Sequence, residues 1–243
     1  MKTIRVLLVD DHAIVRAGLR AVLETSEDVQ VIGEAENGQQ AVGAAQRLRP
    51  DVVLLDVAMP LLNGVEAARH IAHKVPTAKV LILSSYSDAQ HVRQAIAAGA
   101  AGYLLKQSAG ADLLEAIRET ANGGAYFSPP LVSHLLKEWL ERWECGPEAH
   151  ASAPALSWRH AEVLQLIAEG YCTKQIADLL FISKKTAERH RFVLMRKLKL
   201  HKVAALTRYA VSSGVVESNR APNWPTTPVA AQPHISAKDP LMM

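Results

Sequence analysis

The sequence predicts a doubly wound α/β domain with a five-stranded parallel sheet, flavodoxin-like in outline, followed by a small all-α domain. Three observations predict it. Apolar, strand-like runs alternate five times with segments of helical periodicity through residues 1–122. Five polar side chains fall at the carboxyl ends of those runs, where open α/β sheets hold their working groups. The charge also steps along the chain: residues 1–128 hold 12 Lys+Arg and 14 Asp+Glu, whereas residues 155–218 hold 11 and 5. A length of 243 residues accommodates two such domains.

The elements follow in order. Residues 4–9 (IRVLLV) are rich in Val, Ile and Leu, as a parallel strand covered on both faces requires. Ile14, Val15, Leu19, Val22 and Leu23 then recur three or four apart, the apolar stripe of a helix. Further strands are expected at 29–34, 52–55, 79–83 and 102–105, and further helices at 38–48, 64–73, 89–98 and 110–122. Ser128-Pro129-Pro130 punctuates the chain at the end of this first domain, 1–127. Residues 131–144 place Leu131, Leu135, Trp139 and Trp143 on one face of an amphipathic helix, expected to pack on its own domain. Residues 145–155 read as a flexible linker that completes the connection 128–155.

The second domain, 156–216, reads as four helices. Ser157 caps the first and Gly170 stops it. Thr173 caps the second, which turns at Phe181-Ile182-Ser183 into a third capped by Ser183 and running over 184–198. A last helix covers about 202–213. In the third, Ala187, His190, Leu194 and Leu198 share the inward face, and Lys185, Glu188, Arg189, Phe192 and Arg196 share the outward one. Residues 217–243 contain five prolines and no apolar periodicity, and read as a disordered tail.

The strand ends carry the first chemistry. Asp10 and Asp11 end the first strand, Asp56 the third, Ser84 the fourth and Lys106 the fifth. Singly, an acid there is often a helix cap, a Ser a turn residue and a Lys solvated surface. Together they place three carboxylates, a hydroxyl and an ammonium at one sheet edge. Crowded carboxylates raise each other's pKa, and a divalent cation relieves the repulsion. A carboxylate can attack phosphorus, while Mg²⁺ and a Lys neutralise the charge of the group in transfer.

Residues 4–122 resemble the receiver domain of two-component response regulators, in LLVDDH, DVVLLDVAMP followed by Asn63-Gly64, LILSSYSD and AGAAGYLLK. The resemblance implies that Asp56 is the phosphoacceptor for a sensor histidine kinase. It implies Mg²⁺ held by Asp10, Asp11, Asp56 and the main-chain carbonyl of Ala58, a switch hydroxyl at Ser84 and a phosphate contact at Lys106. Tyr103 matches the switch aromatic, expected to turn inward as Ser84 moves toward the phosphoryl group. Pro60 and Gly64 suit the loop after the acceptor. That loop departs from the family in Leu61-Leu62-Asn63, which sets two leucines beside the site.

The basic second domain suits an anionic polymer. Residues 156–215 are similar to the LuxR-type helix-turn-helix of the NarL/FixJ class, in EVLQLIAEGY, KQIADLLFIS, KKTAERH and MRKLKLH. The resemblance implies that Lys185, Glu188, Arg189 and Phe192 face the major groove of double-stranded DNA, and that the active form is a homodimer joined through the last helix. Lys174, Lys184 and Lys197 are suited to phosphates, as is Lys202, and Arg196 lies on the same outward face. RNA polymerase is a further candidate partner. Three positions depart from the family: His160 for the capping-box Glu, Ala187 for a core Val, and Lys199 for a helix-ending Gly.

A membrane span is not expected, because no run of 18 apolar residues occurs. The chain reads as cytoplasmic, with Cys145 and Cys172 as reduced bystanders rather than a disulfide framework. The reading is a phosphorylation-dependent transcriptional regulator rather than an enzyme with its own substrate, since no second catalytic constellation appears. The alternative is an adaptor acting through protein partners, with Leu61, Leu62 and the Trp139/Trp143 helix as its contact surface.

Overall fold

The computed structural model describes residues 3–133, 156–200 and 202–216. Most of the expected helix 131–144, the linker to 155 and the tail 217–243 lie outside the described residues. The first part alternates strand and helix: β1 (Ile4–Val9), α1 (Ala13–Leu23), β2 (Val29–Ala35), α2 (Gly38–Leu48), β3 (Val52–Asp56), α3 (Gly64–Lys74), β4 (Lys79–Ser84), α4 (Ala89–Ala97), β5 (Gly102–Leu105), α5 (Ala109–Ala121) and β6 (Tyr126–Phe127). Every strand pairing is parallel, in the order β2-β1-β3-β4-β5-β6.

Alternation along the strands divides the core in two. Leu7, Val9, Val53, Leu55 and Ile82 pack on one face under α2, α3 and α4. Val6, Leu8, Leu54, Leu81 and Leu83 pack on the other under α1 and α5. The strand order reverses direction at β1 and β3, and Val9 pairs with Leu55. The carboxyl ends of these two strands therefore meet at the topological switch point, where such sheets leave a crevice.

Five strands were expected, and six are present among the described residues. The sixth, Tyr126–Phe127, is two residues long and half-buried, too short for a period-two pattern to register. It docks on β5 at Gly102, where a Cβ would lie 2.7 Å from the Tyr126 carbonyl oxygen. The chain then enters a helical turn at 129–133, with Leu131 buried against the first core.

The second part is α6 (Trp158–Ala168), α7 (Thr173–Leu179), α8 (Lys184–Lys197) and α9 (Val203–Ser212). Its core joins Val163, Leu164, Ile176, Ala187, Leu194 and Leu206. Ser183 caps α8 as expected, its hydroxyl accepting from the Thr186 N–H at 3.1 Å. The cap of α7 falls one residue earlier than expected, on Cys172, whose N–H donates to Gln175 Oε1 at 2.8 Å. Ser157 holds the cap position of α6, but its hydroxyl meets the His160 imidazole rather than a backbone N–H, as the lost capping box requires. Lys199 stands at φ 53°, the left-handed conformation that favours glycine, at a cost of about 1 kcal/mol.

Candidate phosphoacceptor site and nucleic-acid interface

The reversal of strand order brings Asp10, just past β1, beside Asp56, the last residue of β3. Both side chains are almost fully buried, and Asp11 is partly exposed. Lys106, directly after β5, bridges them: its Nζ lies 2.9 Å from Asp10 Oδ2 and 3.0 Å from Asp56 Oδ1. Burial pushes the Asp56 carboxyl up to about 7, with Asp10 and Asp11 adding to the rise and Lys106 opposing it. Burial pulls Lys106 down, but Asp56 and Asp10 outweigh it and the net shift is upward. Asp11 is not the cap of α1; that position belongs to His12, whose N–H donates to Asp10 Oδ1 at 2.8 Å. The His12 ring also lies 3.0 Å from Asp11, so Asp10, Asp11 and His12 form a cluster able to hold a metal ion. His12 was not among the residues expected from the sequence.

Ser84 ends β4 in a buried position beside this group, and its Oγ accepts from the Tyr86 N–H at 3.0 Å. Tyr103 was expected to turn inward on activation, yet it is already fully buried. Its hydroxyl donates to the Tyr86 carbonyl at 2.9 Å, which satisfies the polar end of an otherwise apolar placement. Burial pushes this phenol up to about 12, so it stays protonated.

The loop after Asp56 is held from two sides. Gly64 opens α3 under the end of β3, and a Cβ there would lie 2.0 Å from the Asp56 carbonyl oxygen. From the other side comes the helical domain. The Gln165 amide of α6 donates to the Met59 carbonyl at 2.9 Å, and its Oε1 accepts from the Asn63 N–H at 2.8 Å. Glu169 accepts from the Leu61 N–H at 3.3 Å. Leu61, at φ 68°, packs against the core of the helical domain, whereas Leu62 is buried in the sheet domain. Nearby, His70 Nε2 lies 2.9 Å from Glu162 Oε1, and Arg159 pairs with the same carboxylate at 2.8 Å. Of the two leucines that looked available to partners, Leu62 is thus buried and Leu61 partly buried within the chain. Gln165, Glu162 and Glu169 were not singled out from sequence, because a polar stripe on an amphipathic helix reads as its solvent face.

The docking leaves the outward face of α8 open. Lys184, Lys185, Glu188, Arg189, Arg196 and Lys197 are all exposed, as are Lys174 and Lys202. Phe192 is 65% exposed, unusual for an aromatic side chain of its size. Ala187 and Leu194 anchor the opposite face, and His190 is half-buried with its ring edge-on to His160. No helix among the described residues is long and apolar enough to cross a membrane.

Comparison with known proteins places both halves. Residues 6–118 match the response regulator receiver domain, and residues 154–210 match the bacterial regulatory proteins of the luxR family. The chain is 34% identical over 225 residues to the transcriptional regulatory protein DegU of Brevibacillus brevis, covering 88% of this chain and 95% of that one. It is 40% identical over 195 residues to the transcriptional regulatory protein LiaR of Bacillus subtilis, covering 80% of this chain and 90% of that one. Among solved structures it resembles the RcsB response regulator of Salmonella typhimurium at 27% identity and TM-score 0.53, over 87% of this chain and 100% of that one. An RcsB–DNA complex is similar at 30% identity and TM-score 0.53, over 87% of this chain and 99% of that one. With a parallel α/β domain carrying an acidic crevice and a helix-turn-helix domain behind it, the chain belongs to the two-component response regulators of the NarL/FixJ class, the transcriptional regulators that join a receiver to a LuxR-type DNA-binding domain.

Proposed function

We propose that a sensor histidine kinase phosphorylates this regulator on Asp56, and that α8 reads double-stranded DNA in the major groove. The observation that carries the first half is the bridge of Lys106 between Asp10 and Asp56 at 2.9 and 3.0 Å. It presents one carboxylate as nucleophile with an ammonium beside the oxygens it will acquire. The donor set fits Mg²⁺: buried Asp10 and Asp56 with adjacent Asp11 are all oxygen ligands, and the Asp56 carboxyl, raised chiefly by burial and further by Asp10 and Asp11, gains most from a hard cation beside it. Asp10, Asp11, Asp56 and the Ala58 carbonyl would hold it, and the bound cation would neutralise charge on the phosphoryl oxygens. An Asp56 carboxylate oxygen forms the new bond to phosphorus as the bond from phosphorus to the donor nitrogen breaks, and the imidazole leaves. Lys106 stays charged throughout, and the Ser84 hydroxyl donates to a phosphoryl oxygen.

For the second half, Lys185, Glu188 and Arg189 are aimed at base edges and Phe192 at a thymine methyl, while Lys174, Lys184, Arg196, Lys197 and Lys202 meet phosphates. The active form is a homodimer on DNA, and the change at Asp56 reaches the helical domain through the contacts of α6 with loop 59–63.

Selection from random duplex DNA, with and without Mg²⁺ and a small phosphodonor, tests this reading. Recovery of one preferred sequence should rise when the donor is added. Arg189→Ala should weaken binding to it by about 1–3 kcal/mol and relax preference at one position. Phe192→Ala should lose the preference for a thymine. Binding indifferent to both the donor and Arg189 would leave the adaptor reading standing instead.

A further inference from the structure

We infer that Gln165, a residue of the DNA-binding domain, positions the acceptor loop of the receiver, so that the docked helix α6 primes Asp56 for phosphorylation. The inference rests on the reading of Asp56 as the acceptor. Gln165 is 1% exposed, and both ends of its amide are used on a single loop. Its Nε2 holds the Met59 carbonyl at 2.9 Å, and its Oε1 holds the Asn63 N–H at 2.8 Å. Those two groups bracket the turn that begins three residues after Asp56. The Met59 peptide adjoins Ala58, whose carbonyl is the proposed main-chain ligand, and Asn63 caps α3 by accepting from the Glu66 N–H at 2.9 Å.

The loop needs such an anchor. Between the two grips the chain passes through Leu61 at φ 68°, a conformation that non-glycine residues adopt only when the surroundings impose it. Two imposing contacts come from the helical domain: Glu169 accepts from the Leu61 N–H at 3.3 Å, and the Leu61 side chain packs into that domain's core. Gln165 itself is held by its Nε2 donating to Glu169 Oε1 at 2.7 Å. A loop fixed before the reaction loses no freedom when cation and phosphoryl group arrive, which is the condition for preorganised catalysis. By reciprocity, a cation held at the acidic site before phosphorylation strengthens docking, and loss of docking weakens its hold.

The test compares wild type, Gln165→Ala, the near-isosteric Gln165→Met and Glu162→Gln as full chains. Glu162→Gln weakens the neighbouring His70 contact while leaving the Gln165 grip intact. Amide hydrogen exchange is read first, without metal. Exchange at Leu61 and Asn63 should accelerate by about tenfold or more in both Gln165 variants and by less than about threefold in Glu162→Gln, with core amides of α6 unchanged. Phosphorylation by phosphoramidate is read second. There an Asp56 oxygen bonds to phosphorus, the P–N bond breaks, and the nitrogen takes a proton from water and leaves as ammonia. The Mg²⁺ concentration for half-maximal phosphorylation should rise about threefold or more in the Gln165 variants. Unchanged exchange and Mg²⁺ requirement in those variants, or equal effects in Glu162→Gln, overturn the role of Gln165 while Asp56 remains the acceptor. Phosphate found on a residue other than Asp56 overturns the underlying reading instead.

Discussion

Asp56→Asn is expected to lose phosphorylation by histidine kinase or small phosphodonor by at least about a hundredfold, because an amide lacks the nucleophilic oxygen that must bond to phosphorus. Mass measurement of the intact chain after incubation with donor and Mg²⁺ reads it directly, and a wild-type yield of phosphate on the variant would sink the assignment. The same substitution has an opposite effect on stability. Folding lifts the Asp56 carboxyl from an ordinary 3.8 to about 7, chiefly by burial. Between those values the native state binds more protons than the unfolded one. Metal-free stability therefore falls as pH rises from about 4 to about 7, and the full cost persists above. Asparagine carries no charge to desolvate. Metal-free Asp56→Asn should be more stable than wild type at pH 8 by on the order of 2 kcal/mol, less than the shift alone implies because Lys106 loses a partner. The advantage should vanish near pH 4, and Mg²⁺ should stabilise wild type more at pH 8 than at pH 5. Urea titrations with and without chelator read both, and a pH-independent difference between the two proteins would count against the buried, crowded carboxylate.

Gly64→Ala is the second large effect, and it acts through one methyl group. The added Cβ would sit 2.0 Å from the Asp56 carbonyl oxygen and 2.8 Å from its carbon, both backbone atoms that cannot rotate away. Either α3 or the end of β3 must move by close to an ångström. Overpacking of this kind costs about 3 kcal/mol. A displaced acceptor should also lower the phosphorylation rate by about tenfold or more. Gly43, in the middle of α2 with nothing within 4 Å of its would-be Cβ, is the control. Gly43→Ala should be neutral or stabilising by about 0.5–1 kcal/mol, because alanine is the better helix former. If both variants melt alike and both take phosphate at the wild-type rate, the close approach of α3 to the end of β3 is not what the structure indicates.

Much of the fold was legible because its signals are local. The runs VLLV, VVLL and VLIL are apolar throughout, and a strand buried on both faces favours that pattern. The second helix was expected at 38–48 and is found at Gly38–Leu48. The cap of α8 was readable from Ser183 for the same reason: a hydroxyl and the N–H it satisfies lie three residues apart. Tyr126–Phe127 escaped because two residues carry no period, and Cys172 escaped because a cysteine is not a usual cap residue. The acidic crevice was legible as a set of strand ends, since parallel topology delivers such ends to one edge.

The docking of the two domains was not legible, and its chemistry shows why. Sequence alone determined the alternating α/β pattern, the residues that end each strand, the basic outward face of α8 and the inward anchors Ala187 and Leu194. Each of these follows from the periodicity of a helix or strand, a property of neighbours in the chain. Only the tertiary structure decided that Tyr103 lies inward, that Leu61 packs into the core of the helical domain, and that Gln165 reaches across 102 residues of sequence to the Asn63 N–H. Gln165 and Glu162 lie on a polar stripe that water would satisfy equally well, so nothing local distinguishes a solvated face from a docked one. The difference is made by complementary backbone groups on a loop far away in sequence, and a buried polar side chain acquires meaning only once its partners are in place.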